Sequence, residues 1–207
     1  RMFFYKTTPD SGYMYFDQIC ELKPHTERVM GIALDAKVGY IYSVSSDKKF
    51  ILSEANHSSS SIEIATSNSG YTNLIYDKKA DRLFTTNESG EITIYSTQTN
   101  PPCEIGQVQI GDRTSIRGFN VELKKLYIFS GTMGGKISII ELGQPGKEKF
   151  LKEVSMFEGN PKIRIIKYYS KRHELITGDG NGKIVVWNLL KGQPVYAWDA
   201  HKGEITQ

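Results

Sequence analysis

Apolar and polar positions alternate along most of this chain in short runs, separated by clusters of turn-forming residues. Four segments, 29–54, 71–96, 116–141 and 163–188, align without an insertion, and their starts lie roughly 42 to 47 residues apart. Each segment predicts three strands. The first reads VMGIAL, YTNLIY, IRGFNV and IRIIKY, and a polar hairpin follows it. The second reads YIYSV, RLFTT, YIFSG and ELITG, and the third KFILS, EITIY, KISII and KIVVW. The stretches between segments each hold one more strand: SIEIA, CEIGQVQI, FLKEVSMF and QPVYAWDA. Helical periodicity is almost absent, so the pattern predicts an all-β chain built from four-stranded antiparallel units. The gapless register sets it apart from a β-sandwich, whose strands seldom repeat this way.

The turns carry their own column. Gly90, Gly135 and Gly182 share one repeat position between the second and third strands, where a tight hairpin calls for positive φ, and Lys48 breaks the pattern in the first segment. SSSS at 58–61, TQTNPP and GQPGKEK read as loops between third and fourth strands. A second column, Ser43, Thr85, Ser130 and Thr177, runs through the four second strands.

Composition narrows the function classes. The 207 residues include 26 Lys+Arg and 23 Asp+Glu, a net charge of +3 that does not by itself argue for nucleic acid. Cys20 and Cys103 lie far apart, without the paired spacing of a zinc site. No apolar run reaches membrane-spanning length, and the first residues lack signal-peptide character. These features predict a soluble cytoplasmic protein. GTMGG and GDGNG lie between strands, not at a helix start, so they read as hairpin turns and not phosphate loops. No Cys-x-x-Cys, His-x-x-x-His or Gly-x-Ser-x-Gly motif is present, so no catalytic residue, metal site or cofactor is expected.

Trp187 and Asn188 close the third strand of the last segment, and His25 and His201 each stand four residues before a first strand. With the Ser/Thr column, these positions make the chain resemble the WD-repeat β-propeller family. That resemblance implies four full blades (25–66, 67–111, 112–158 and 159–200), with 1–24 ending a preceding blade and 201–207 starting a further one. It also implies a hydrogen-bonded clamp in each blade, made by a loop His, a second-strand Ser/Thr, a turn Asp and a third-strand Trp. Here the Asp position reads Asp47, Ser89, Gly134 and Asn181, and the Trp position Ser53, Tyr95, Ile140 and Trp187, so no unit carries all four members. A buried imidazole needs a partner for its N–H, which makes His25 and His201 structural. His57 and His173 are expected to be solvated loop residues. The run GDGNGKIVVWN and the unit order are also similar to WD-repeat proteins that carry a FYVE zinc finger. Four blades expose two apolar faces, so further blades of the same chain or of another chain are expected to close the ring.

The resemblance implies a non-catalytic scaffold that docks partner proteins or peptides on propeller loops. The loop face it implies carries Arg28, Met30, Ser46, Thr72, Glu88, Arg117, Met133, Lys162, Arg164 and Gly180. Arg and Met are favoured at interfaces, and arginine offers a planar donor fork. The hairpins between first and second strands carry Lys37, Lys78, Lys79, Lys124, Lys125, Lys171 and Arg172, a basic arc on the opposite face. Such an arc suits acidic lipid headgroups, giving a membrane or endosome recruitment module as the alternative function, with an RNA or ribonucleoprotein scaffold third.

Overall fold

In the computed structural model, the structure describes residues 1–10, 13–55, 60–110, 113–122, 127–141, 149–155 and 162–206. Eighteen strands form in these residues. A hairpin of β1 (Met2–Asp10) and β2 (Tyr13–Leu22) comes first. Four antiparallel sheets follow. Sheet I holds β3 (Val29–Asp35), β4 (Tyr40–Ser45), β5 (Lys49–Glu54) and β6 (Ser61–Thr66). Sheet II holds β7 (Tyr71–Asp77), β8 (Arg82–Asn87), β9 (Glu91–Ser96) and β10 (Cys103–Gln109). Sheet III holds β11 (Ile116–Glu122), β12 (Tyr127–Thr132), β13 (Lys136–Glu141) and β14 (Lys149–Ser155). Sheet IV holds β15 (Ile163–Tyr169), β16 (Glu174–Asp179), β17 (Lys183–Asn188) and β18 (Gln193–Asp199). Strands pair in sequence order within every sheet, and among the described residues no pairing joins one sheet to another.

The sheets repeat in register. Ser43 lies opposite Ile32 and Ile51, Thr85 opposite Leu74 and Thr93, Ser130 opposite Phe119 and Ser138, and Thr177 opposite Ile166 and Val185. Every first strand carries a bulge at one position, which leaves Met30, Thr72, Arg117 and Arg164 outside the ladder. The tight-turn position is left-handed in all four sheets: Gly90, Gly135 and Gly182 have φ of 78°, 78° and 87°, and Lys48 adopts 70° without being glycine. The backbone requirement therefore survives where the residue that meets it most easily does not.

Side-chain burial follows from how the sheets stack. β4 and β5 are buried at nearly every residue, as are β8 and β9, because both faces of these middle strands are covered, those of sheet I by the first hairpin and sheet II, those of sheet II by sheets I and III. Tyr42, Val44, Phe50 and Leu52 of sheet I pack on Tyr71, Leu83 and Tyr95 of sheet II. Phe84, Ile92 and Ile94 of sheet II pack with Ile110 on Ile116, Phe119 and Ile140 of sheet III. Ile137 of sheet III meets Ile163, Ile166, Leu175, Val185 and Trp187 of sheet IV. Edge-to-face rings reinforce the first of these seams, with Phe50 and Tyr95 centroids 5.0 Å apart. The two end faces of the array are covered only in part: Met2 and Leu22 of the first hairpin pack on Ile41 of sheet I, and beside them apolar side chains stay exposed. Ile32 is 52% exposed where the equivalent Phe119 is buried, and Ile176 is 37% exposed where Phe84 is buried. Tyr196 and Trp198 of β18 are exposed beside Ile176's sheet face.

Candidate functional site

At one end of each of the four sheets, one repeated backbone hydrogen bond ties two loops together. The N–H of Ser46 donates to Arg28 O, Glu88 to Gly70 O, Met133 to Ser115 O and Gly180 to Lys162 O, at 2.9 to 3.0 Å. Each bond ties a tight turn to the loop leading into its own first strand. Two bonded residues later comes the bulge, which re-aims the side chains of Met30, Thr72, Arg117 and Arg164 away from regular pairing. The side chains at these places then interact between sheets. Arg117 Nη2 lies 3.2 Å from Glu88 Oε1 of the preceding sheet, and Arg164 pairs with Glu204 of the loop that follows sheet IV. Asn73 Nδ2 donates to the carbonyl of Arg117, and the Thr72 and Thr86 hydroxyls share a bond of 2.7 Å.

Beneath this face, sheet I holds a buried polar chain. His25 Nδ1 lies 3.1 Å from both carboxylate oxygens of Asp47, and its Nε2 lies 2.8 Å from Ser43 Oγ. Asp47 also accepts from the N–H groups of Thr26 and Lys49. Burial raises the Asp47 carboxyl, but these two N–H groups and the His25 ring outweigh it and hold the pKa below the ordinary carboxylate value. Both ring nitrogens of His25 are thereby engaged, which satisfies a fully buried imidazole without any reaction chemistry. In sheet IV, Trp187 Nε1 donates to Thr177 Oγ1 across 3.2 Å.

The repeated sheets can be compared with solved structures. The RRP9 WD40 repeats superpose with a TM-score of 0.72 at 15% identity, covering 89% of this chain and 55% of that one. The computationally designed Ika4 protein superposes with a TM-score of 0.64 at 14% identity, covering 81% of this chain and 94% of that one. The fold is that of a WD40-repeat propeller. In sequence, ASTRA-associated protein 1 of Penicillium rubens is 42% identical over 45 residues, 22% of this chain and 10% of that protein. The chain thus spans about a tenth of that relative and about half of the RRP9 repeats. No protein-family model matches it.

In WD40 terms the four sheets are blades, and their clamps differ. Blade I keeps the His, Ser and Asp members, while Ser53 replaces Trp and bonds instead to Ser61 Oγ at 2.9 Å. Blade II has Ser67, Ser89 and Tyr95 at the His, Asp and Trp positions. Its bonding is rebuilt around Asn87, whose Nδ2 donates to Ser67 Oγ at 3.0 Å and to Glu91 Oε2 at 2.7 Å. Tyr95 shares a hydroxyl bond with Tyr71, and burial raises both phenol pKa values. Ile140, at the Trp position of blade III, is a plain core residue. The Ser130 side chain lies outside the described ones. His201 is exposed, and its backbone N–H donates to Gly182 O.

Asn87 belongs to a column that reading the sequence missed: Ser45, Asn87, Thr132 and Asp179, all buried. Each side-chain oxygen caps the tight turn of its blade, accepting from Asp47 N (3.1 Å), Ser89 N (3.0 Å), Lys136 N (3.4 Å) and Asn181 N (2.8 Å). The signal was available. All four are residues whose short side chains bond a backbone N–H two to four positions on, and they stand two places after the Ser/Thr column.

The basic hairpins lie at the opposite ends of the strands. Lys37, Lys171 and Arg172 are exposed, whereas Lys124 and Lys125 lie outside the described residues. The arc is not uniformly positive. Lys78 reaches 4.0 Å from Asp35 Oδ1 of the preceding blade, and Tyr76 donates to Asp35 Oδ2 at 2.8 Å. Lys79 offers its backbone N–H to Asp77. His57 is also outside the described residues. His173, expected to be solvated, is half-buried with a left-handed φ of 54°, and its Nδ1 lies 3.3 Å from the Tyr168 hydroxyl, because the hairpin folds the ring back on its own strand. Among the described residues, no three His, Cys, Asp or Glu side chains are grouped to hold a metal ion.

Proposed function

We propose that this chain is a non-catalytic protein-interaction scaffold that docks a partner protein or peptide on the loop face of its blades. WD40 propellers are generally protein-binding and usually non-catalytic, and the fold is the coarse part of the argument. The finer part is supported by the repeated turn-to-loop bond, which holds the same two loops at one end of every sheet, the loops that carry or adjoin Arg28, Glu88, Arg117, Met133, Lys162 and Arg164. Function placed on loops held by a rigid scaffold is the common arrangement in such folds. The sequence relative is named as ASTRA-associated, which is in keeping with reading this chain as one that associates with another component. The buried Asp47–His25–Ser43 chain serves to hold a blade.

Affinity capture from cell extract with the full chain as bait, read by mass spectrometry, tests this. Arg28→Glu with Lys162→Glu changes two exposed loop-face charges and is expected to lose the partners that the wild type captures. Lys78→Glu with Lys79→Glu, on the opposite face, is expected to keep them. Equal capture by the loop-face variant, or loss only with the lysine variant, refutes docking on this face.

A further inference from the structure

We infer that the loop face selects an acidic peptide segment, with Arg117 and Arg164 as paired carboxylate-binding forks that exchange Glu88 and Glu204 for carboxylates of the partner. This deepens the docking reading and rests on it.

The two arginines occupy the same bulge position of adjacent blades. Their strands touch closely beside them: a Cβ on Gly118 would lie 3.2 Å from the Ile165 carbonyl carbon and 2.9 Å from Ile166 Cγ1. Both side chains are largely held, 27% and 23% exposed, so binding costs little further side-chain freedom. Each already grips one carboxylate, and those carboxylates are the looser members of the pairs, 47% and 40% exposed. Half-exposed ion pairs of this kind contribute little to stability, so their exchange is easy.

The grip on Glu88 is also incomplete. Only Nη2 of Arg117 meets that carboxylate, while its Nε is buried without a hydrogen-bond partner. A guanidinium binds a carboxylate best through two parallel N–H bonds, and the single-nitrogen contact with Glu88 falls short of that, which leaves the pair open to exchange. In blade IV, the turn position that carries Glu88 in blade II is Gly180, where an added Cβ would lie 3.9 Å from Arg164 Nε, so that position brings no carboxylate of its own to the guanidinium. Met133, at the same turn position of blade III, is the apolar element between these two turns, and Arg28 and Lys162 add exposed positive charge at the same end. Glu88 and Glu204 remain close by, which disfavours the denser negative charge of phosphate and of an RNA backbone.

The test is fluorescence anisotropy of the full chain with a short labelled Glu/Asp peptide, its Gln/Asn counterpart, a phosphoserine peptide and a single-stranded RNA. The Glu/Asp peptide is expected to bind and the Gln/Asn peptide not to. Glu88→Gln with Glu204→Gln is expected to tighten binding several-fold. Arg117→Gln with Arg164→Gln is expected to weaken it by about tenfold or more. Should the arginine variant fail to fold, the glutamine variants of Glu88 and Glu204 still decide the matter, because they remove only exposed carboxylates. Equal binding of the neutral peptide, unchanged or weaker binding after Glu88 and Glu204 are neutralised, or binding of phosphopeptide or RNA alone overturns the inference. Captured partners lost in Arg28→Glu with Lys162→Glu, together with no affinity for the Glu/Asp peptide, would leave docking in place and remove its acidic selectivity.

Discussion

Replacing Asp47 with alanine tests whether blade I is held by a charge-assisted polar chain. The substitution removes the acceptor of His25 Nδ1, whose side chain is fully buried, and the acceptor of the Thr26 and Lys49 N–H groups. A buried ring N–H left without a partner costs about 1–3 kcal/mol, and the two backbone bonds, which water partly replaces, about 1 kcal/mol together. The sum is about 3 kcal/mol. For a chain of this size that corresponds to a fall of about 6–12 °C in Tm. The same residue fixes a pH dependence. Its folded pKa is depressed, so the stability it contributes is fully present above the ordinary carboxylate pKa and is lost as pH falls through the lower folded value. The difference between wild type and Asp47→Ala is therefore expected to be largest near neutral pH and to shrink below about pH 4. Calorimetric or circular-dichroism melts of both proteins, at neutral and acid pH, read this directly. A neutral-pH fall of less than about 2 °C, or a difference that does not change with acid, would falsify the account of His25 and Asp47 as a buried clamp.

Two glycine-related changes test the turn column. Lys48 holds a φ of 70° at a place where three blades use glycine, so Lys48→Gly is expected to raise stability by about 0.5–1 kcal/mol, relief of strain exceeding the added chain entropy. A urea midpoint shifted upward at unchanged slope would show it, and a downward shift would contradict it. Gly182→Ala places a Cβ against the carbonyl oxygens of His201 and Gly203 at a φ of 87°, and is expected to cost more than about 2 kcal/mol and to speed proteolysis of the 200–206 loop. Gly203→Ala, with open space around it, is expected to stay within about 0.5 kcal/mol of wild type, and comparable losses in both would argue against a specific clash.

Much of the blade was legible because its determinants are local. Period-two alternation marks strands wherever one face is buried, and residues such as Gly90 and Gly135 announce a turn by the backbone angle they alone adopt easily. Sequence spacing also located the Ser43–Thr85–Ser130–Thr177 column, since equal distances from equal turns put residues in equal register. Less legible was the rebuilding of blade II. Blade II lacks the His and Asp members, and Asn87, two places after Thr85, bonds Ser67 and Glu91 in their place. A buried polar position creates a demand for partners, and any nearby side chain of suitable reach can meet it.

The sequence by itself determined the strands, the period, the turns and the all-β class, because these depend on alternation and backbone preference within a few residues. Tertiary structure alone decided which charges met: Arg117 with Glu88 of the previous blade, Arg164 with Glu204, Lys78 and Tyr76 with Asp35. These contacts join residues brought together by stacking sheet on sheet and by bulges that redirect single side chains. Their partners are chosen by the packing of neighbouring blades, and no local pattern encodes that distance.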